Sequence, residues 1–147
     1  MQKQLLIKEV VLDICGTINF VERTVKFFHA GDTILLYGNL GSGKTLLTRE
    51  YTRMLGSHAE VSSPSFSLIN RYEGPCTINH IDLYRIKEET DLINLGLEDI
   101  LFSDGINFIE WPERIEQKIL WPHFRIDLRT KKNNLSWRTF RLFKIHE

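Results

Sequence analysis

The run Thr33-Ile34-Leu35-Leu36-Tyr37, followed at once by Gly38-Asn39-Leu40-Gly41-Ser42-Gly43-Lys44-Thr45, decides the fold. An apolar, β-forming run without alternation reads as a short strand buried on both faces, the habit of parallel sheets. The stretch after it fits Gly-x4-Gly-Lys-Ser/Thr without exception. Leu47, Tyr51 and Met54 then return at helical spacing until Gly56, so the order is strand, glycine loop, helix. A phosphate-binding loop needs that context. Its glycines let the backbone curl until successive N–H groups point at one anion, and the helix starting near Lys44 adds its partial positive end. Lys44 would reach the β- and γ-phosphates of a nucleotide, while the Thr45 hydroxyl ligates Mg²⁺.

Upstream, Ile14, Ile18, Val21, Val25 and Phe28 recur at intervals of four and three, which predicts a helix from Asp13 to Phe28 with those residues on its buried face. Downstream, Ser67–Tyr72 and Thr77–Asp82 read as two strands around the turn Glu73-Gly74-Pro75, which predicts a hairpin. Residues 87–102 have helical character. Ile106–Ile109 is another apolar strand, running into Glu110-Trp111-Pro112. Two alternating strands, Phe124–Arg129 and Trp137–Phe143, flank a turn at 131–134. The chain therefore reads as α/β with a mixed sheet, in a single domain covering 1–147.

Mg²⁺ keeps octahedral oxygen coordination, so a phosphate loop needs a carboxylate at the end of a neighbouring strand. Asp82 and Glu110 both stand at strand ends, where ligands of open α/β sheets gather. Spacing alone does not choose between them, and a salt-bridged strand end would look the same. Ser63-Pro64-Ser65-Phe66 lies where nucleotide hydrolases carry switch loops. His80, lone in a strand, reads first as a hydrogen-bonded core histidine. Tyr84 and Trp111 are aromatic residues beside strand ends, where core packing and a nucleotide pocket look alike.

Composition bounds the alternatives. The 147 residues are 42% hydrophobic and 26% charged, the make-up of a globular chain with a real core. Basic and acidic residues balance at 19 each, but unevenly: 1–72 carry eight and six, 73–116 three and eleven, 117–147 eight and two. Cys15 and Cys76 are too few for a disulfide framework and read as reduced thiols. No apolar run approaches the ~20 residues of a membrane span, so a cytoplasmic location without membrane attachment is expected.

Four blocks in order make the chain similar to the TsaE (YjeE) family, small P-loop ATPases of the tRNA threonylcarbamoyladenosine pathway: Leu36–Thr45, Val61–Leu68, His80-Ile81-Asp82-Leu83-Tyr84-Arg85, and Ile109-Glu110-Trp111-Pro112. The first block is generic; the third and fourth carry the specificity. The resemblance implies a P-loop NTPase-like three-layer fold with a mixed parallel/antiparallel central sheet. It implies ATP and Mg²⁺ as cofactors, with Thr45, Glu110 and Asp82 at the metal. Lys44, Asp82 and Glu110 would be catalytic, Asp82 through the metal water or the attacking water. Nucleotide contacts would come from Gly38, Asn39, Leu40, Gly41, Ser42, Gly43, Lys44, Thr45, Leu46, Ser65 and Trp111, and from the region Val11–Thr17 for adenine. Departures are Asn39, Ser42 and Ser65, where the family usually has Asp, Ala and Thr; only Ser65 touches chemistry, and it keeps a hydroxyl.

By the same resemblance, the protein is an accessory ATPase, weak alone, that acts on the TsaD–TsaB pair, resets it between cycles and meets tRNA indirectly. Arg85 and Arg71 are in-chain candidates for a catalytic cation, beside one supplied by the partner. A small-molecule or nucleotide kinase shares the loop, but the expected cluster of lid arginines is absent. A non-hydrolysing ATP-binding assembly factor is the third reading. No Asn-Lys-x-Asp guanine-reading motif occurs, which argues against a GTPase. Lys131, Lys132, Arg138, Arg141 and Lys144 match no motif and are expected to face the partner complex or its tRNA.

Overall fold

The computed structural model describes residues 1–64, 67–131 and 133–147. Seven strands build one sheet: β1 (Gln2–Val11), β2 (Thr33–Tyr37), β3 (Ile69–Tyr72), β4 (Ile78–Asp82), β5 (Ile106–Glu110), β6 (His123–Lys131) and β7 (Asn134–His146). Their spatial order is β1-β7-β6-β2-β5-β4-β3. The central strands β6, β2, β5 and β4 run parallel, while β3, β7 and β1 add antiparallel pairs at the two sides. The expected mixed sheet is present, the β3–β4 pair is the hairpin the sequence suggested, and the two strands expected to flank a turn, β6 and β7, pair antiparallel.

Period-two alternation sorts each parallel strand between two layers of helix. Ile34, Leu36, Ile78, Ile106 and Phe108 pack with α1 (Ile14–Thr24) and α2 (Lys44–Met54) in one core. Leu35, Ile81 and Ile109 point the other way, against α3 (Glu89–Asn94), α4 (Leu97–Leu101) and the turns that bury Ile115 and Ile119. Helices on both faces of the sheet give the three layers.

Several elements differ from their expected form for identifiable reasons. The helix begins as predicted, with Asp13 Oδ1 accepting from the Gly16 amide at 2.9 Å, but ends at Thr24 and continues as a 3-10 turn, Val25–Phe27. Its buried face is Thr17, Phe20, Val21 and Thr24, and Ile14 is 47% exposed. The rotation follows from Thr24, whose hydroxyl donates to the Phe20 carbonyl at 2.7 Å and lies 2.6 Å from Tyr51 Oη, so a satisfied polar group takes a core position. Met54, read as the end of the apolar face of α2, is 40% exposed. Residues 87–102 form two short helices because Gly96 adopts a left-handed φ of 65° between them.

The apolar pattern predicts no element at 2–11. There β1 pairs with β7 as an edge strand, with a bulge between Leu5 and Ile7, and Glu9 ties it to α1 through an ion pair with Arg23.

Candidate functional site

Period two also builds the site. Ile78, His80 and Asp82 of β4 share a face, as do Ile106, Phe108 and Glu110 of β5, and the parallel register sets Asp82 beside Glu110. That face looks toward α2. Each strand is apolar where it enters the core and carries its carboxylate at the C-terminal end, where the glycine loop delivers the first turn of α2.

The loop has the shape an anion requires. Gly41 and Gly43 adopt left-handed φ values of 77° and 103°, a backbone that L side chains rarely take. A Cβ at Gly38 would collide with Ser42 Oγ and lie 3.0 Å from the Leu128 carbonyl oxygen. Lys44 starts α2, and its ammonium donates to the carbonyls of Gly38 and Asn39 and lies 3.9 Å from the centre of the Trp111 ring. Thr45 Oγ1 is 3.2 and 3.4 Å from the two oxygens of Glu110. Residues 40–46, Ser63, Asp82, Tyr84, Arg85, Glu110 and Trp111 enclose a cleft of about 390 Å³.

Electrostatics mark the cleft as a place of unequal burial. Burial pushes the Lys44 ammonium below its ordinary range, against the pull of Glu110, Glu113 and Asp82. Burial likewise raises the Asp82 carboxyl, opposed by the hydrogen bond from the Tyr84 amide, while the Glu110 charge raises it further. Two carboxylates and a hydroxyl at one end of a lysine-lined loop are hard oxygen donors for a cation that arrives with phosphate oxygens. This suits Mg²⁺, which is usually held by one or two carboxylates plus substrate phosphates rather than by a full protein cage. Among the described residues no group of three or more His, Cys, Asp or Glu could hold a metal by itself.

Two non-glycine residues border the site in the left-handed region, Trp111 at φ 58° and Leu68 at φ 65°. Such backbone costs energy and persists only where its surroundings hold it. Trp111 is held between Lys44 and Tyr84, whose ring is 4.9 Å from its own. Leu68 is held by its amide to the Pro64 carbonyl at 2.7 Å, and its carbonyl accepts from the Asp82 amide at 2.9 Å.

Of the residues the sequence grouped, Leu40 through Leu46, Asp82, Glu110 and Trp111 line one cleft, while Gly38 and Asn39 line a neighbouring pocket and meet the cleft through the Lys44 ammonium. Ser65 lies outside the described residues. Of the two candidate arginines, Arg85 lines the cleft, whereas Arg71 borders a separate pocket with Pro75, Cys76 and Ser103. Sequence reasoning missed the place of Arg138. It lies opposite Val11 in the β1–β7 register, and its Nη2 donates to the Gly41 carbonyl at 3.4 Å. Arg138 thus reaches the glycine loop, and Val11–Thr17 begins beside it.

The other basic residues of the tail do not gather on one face. Arg141 pairs with Asp127 at 3.5 Å, Lys131 lies over Trp137 and Lys144 over Phe124; Lys132 is outside the described residues. Sequence reasoning also gave Tyr72 no role, whereas His80 is the hydrogen-bonded core histidine it expected. His80 is fully buried, and its Nε2 is 2.5 Å from Glu110 Oε2. The link joins residues 30 positions apart, and no local pattern announces it.

Comparison with known proteins places these features. The model of the family described as threonylcarbamoyl adenosine biosynthesis protein TsaE matches residues 13–140. A curated relative from Rickettsia prowazekii, a tRNA threonylcarbamoyladenosine biosynthesis protein TsaE, is 34% identical over 133 residues, 89% of this chain and 88% of its own. The Bacillus subtilis protein of the same name is 34% identical over 110 residues, 74% of this chain and 67% of its own. The crystal structure of Bacillus subtilis YdiB superposes with a TM-score of 0.79 at 24% identity, covering 99% of this chain and 88% of that one, which bears on the fold. With the family match running from the N-cap of α1 to the middle of β7, the chain belongs to the TsaE family.

Proposed function

We propose that this protein binds ATP with Mg²⁺ and hydrolyses it slowly, as an accessory factor in tRNA threonylcarbamoyladenosine synthesis whose cycle resets the TsaD–TsaB pair. One observation carries the reading. Lys44, Thr45, Asp82 and Glu110 converge from three elements on a single cleft beneath a complete glycine loop.

Each residue has a separable task. The loop amides and the start of α2 hold the phosphate chain, and Lys44 exchanges its carbonyl contacts for phosphate oxygens. Thr45 and Glu110 would hold Mg²⁺, which when bound neutralises charge developing on the transferred phosphoryl group. Asp82, its carboxyl raised by burial, would serve the metal water or the attacking water. Arg85 brings a cation to the rim. Fast turnover also needs a positioned nucleophilic water and often a further cation, which a partner can supply in trans.

The test is phosphate release by the purified chain with and without the TsaD–TsaB pair. Mg²⁺-dependent release that rises with the pair is expected, and Lys44→Ala should lower it by about 10²-fold or more. If the full mixture released no phosphate and Lys44→Ala left tRNA modification intact, the reading would be lost. Tight ATP binding without turnover would favour the assembly factor.

A further inference from the structure

A row of polar side chains runs across the face of the sheet from Glu110 to the segment that precedes β3. His80 Nε2 contacts Glu110 Oε2 at 2.5 Å, His80 Nδ1 is 3.3 Å from Tyr72 Oη, and Tyr72 Oη is 3.2 Å from the carbonyl oxygen of Ser62. Asn70 Nδ2 donates to the same carbonyl at 3.3 Å and to Tyr72 Oη at 3.4 Å, while its Oδ1 accepts from Ser67 Oγ at 2.9 Å. Strand register explains the row. In the β3–β4 pair Asn70 stands opposite His80 and Tyr72 opposite Ile78, all on the face that carries Asp82 and Glu110. Tyr72, His80 and Glu110 are 5%, 0% and 3% exposed, so water does not substitute for these partners.

Counting hydrogens shows what the row can do. A carboxylate only accepts, so His80 Nε2 is the donor to Glu110, and in the tautomer that carries its hydrogen on Nε2 the Nδ1 atom is an acceptor. The Ser62 carbonyl is an acceptor too. Tyr72 stands between them with one hydroxyl hydrogen, which serves one acceptor at a time.

We infer that Tyr72 and His80 are positioning residues that couple the place of Ser62 to the set of Glu110, through a single hydroxyl hydrogen with two acceptors. When Tyr72 donates to Ser62, the segment is held and His80 is braced only through Nε2. When the segment leaves, the hydrogen passes to Nδ1 and fixes the ring that aims Glu110 at Thr45. The role of Glu110 as a metal carboxylate rests on the proposed function; the coupling itself does not.

The test separates the two. In the protein without nucleotide, amide exchange is followed at Ser63, whose N–H shares a peptide with the Ser62 carbonyl. Tyr72→Phe removes the hydrogen, and exchange should accelerate several-fold. His80→Leu deletes the Nδ1 acceptor and adds none, leaving the hydrogen to Ser62, so exchange should slow. Residues that merely fill space would loosen the segment in both variants. Acceleration in both, or no change in either, overturns the inference.

A second measurement uses a fluorescent ATP analogue with Mg²⁺ or with EDTA. Tyr72→Phe should lose about tenfold of the affinity that Mg²⁺ adds, with binding in EDTA unchanged. Equal loss in both buffers, or the full Mg²⁺ gain retained, also overturns it. Failure of the wild-type chain to bind the analogue in either buffer would instead count against the proposed function, and the exchange data would still decide the coupling.

Discussion

The two faces of β4 and β5 carry opposite gradients. Toward α2 the strands begin with Ile78, Ile106 and Phe108 and end with His80, Asp82 and Glu110; toward α3 and α4 they begin with Asn79 and Asn107 and end with Ile81 and Ile109. Both faces bury polar groups, but they satisfy them differently. Asn79 Nδ2 donates to Asn107 Oδ1 at 2.9 Å, and Asn107 Nδ2 reaches the Leu101 carbonyl at 3.4 Å, so that pair is closed within the protein. On the other face burial, joined by the Glu110 charge, pushes the Asp82 carboxyl up, and burial pushes the Lys44 ammonium down, so these charged groups stay under electrostatic tension at the cleft. A buried polar pair that is closed supports the fold, and one left open supports chemistry.

The largest expected effect lies under the open face. Phe28 bridges Tyr51, Phe108 and Phe124 with ring centroids 5.1, 6.2 and 4.9 Å away. Phe28→Ala should cost about 3–5 kcal/mol in urea unfolding, from lost transfer energy and the cavity left behind. A much smaller loss would show that the helix face rotated onto Thr24 is less tightly packed than these rings imply.

The closed pair gives the next effect. Asn107→Ala strands Asn79 in the core and should cost about 1–3 kcal/mol. Asp82→Asn should do the reverse, raising the melting temperature by about 3 °C for each ~1 kcal/mol recovered while abolishing Mg²⁺-dependent phosphate release. If Asp82→Asn instead destabilised the chain as Asn107→Ala does, the contrast between the faces would fail.

The smallest effect is away from both faces. Burial lowers His123 below its ordinary value of 6.5, although its Nδ1–H donates to the Trp121 carbonyl at 2.8 Å, and Lys144 and Arg125 add repulsion. The unfolded chain therefore binds the extra proton first, and stability is full above about pH 6.5 and falls as pH drops through the lowered value. His123→Gln should flatten that part of the stability–pH curve. An unchanged slope would assign the acid sensitivity to other groups.

How much of this was legible depended on the range of each signal. The loop, its strand and its helix are contiguous, so spacing from Thr33 to Tyr51 defined them. Asp82 and Glu110 were recognisable as strand-end acids, but their adjacency is a register between strands 28 residues apart, which no local pattern encodes. The first helix was found with Val21 and Phe28 of its stripe buried as expected and Ile14 exposed, because apolar spacing counts Ile14 and ignores the hydroxyl that lets Thr24 go inside. Edge strand β1 escaped because its outer side is exposed and its partner is the far end of the chain. Tyr72 and Arg138 escaped for the same reason as the carboxylate register: their meaning lies in what stands across from them.

The bulge in β1 has a consequence for company rather than for chemistry. One border of the sheet is only four residues long, and the other is broken at Leu5/Ile7 and carries Lys3, Lys8 and Glu9. Neither offers a long, flat ladder of free amides and carbonyls onto which another chain could zip. A chain that approached either border would therefore meet side chains before it met a ladder it could extend.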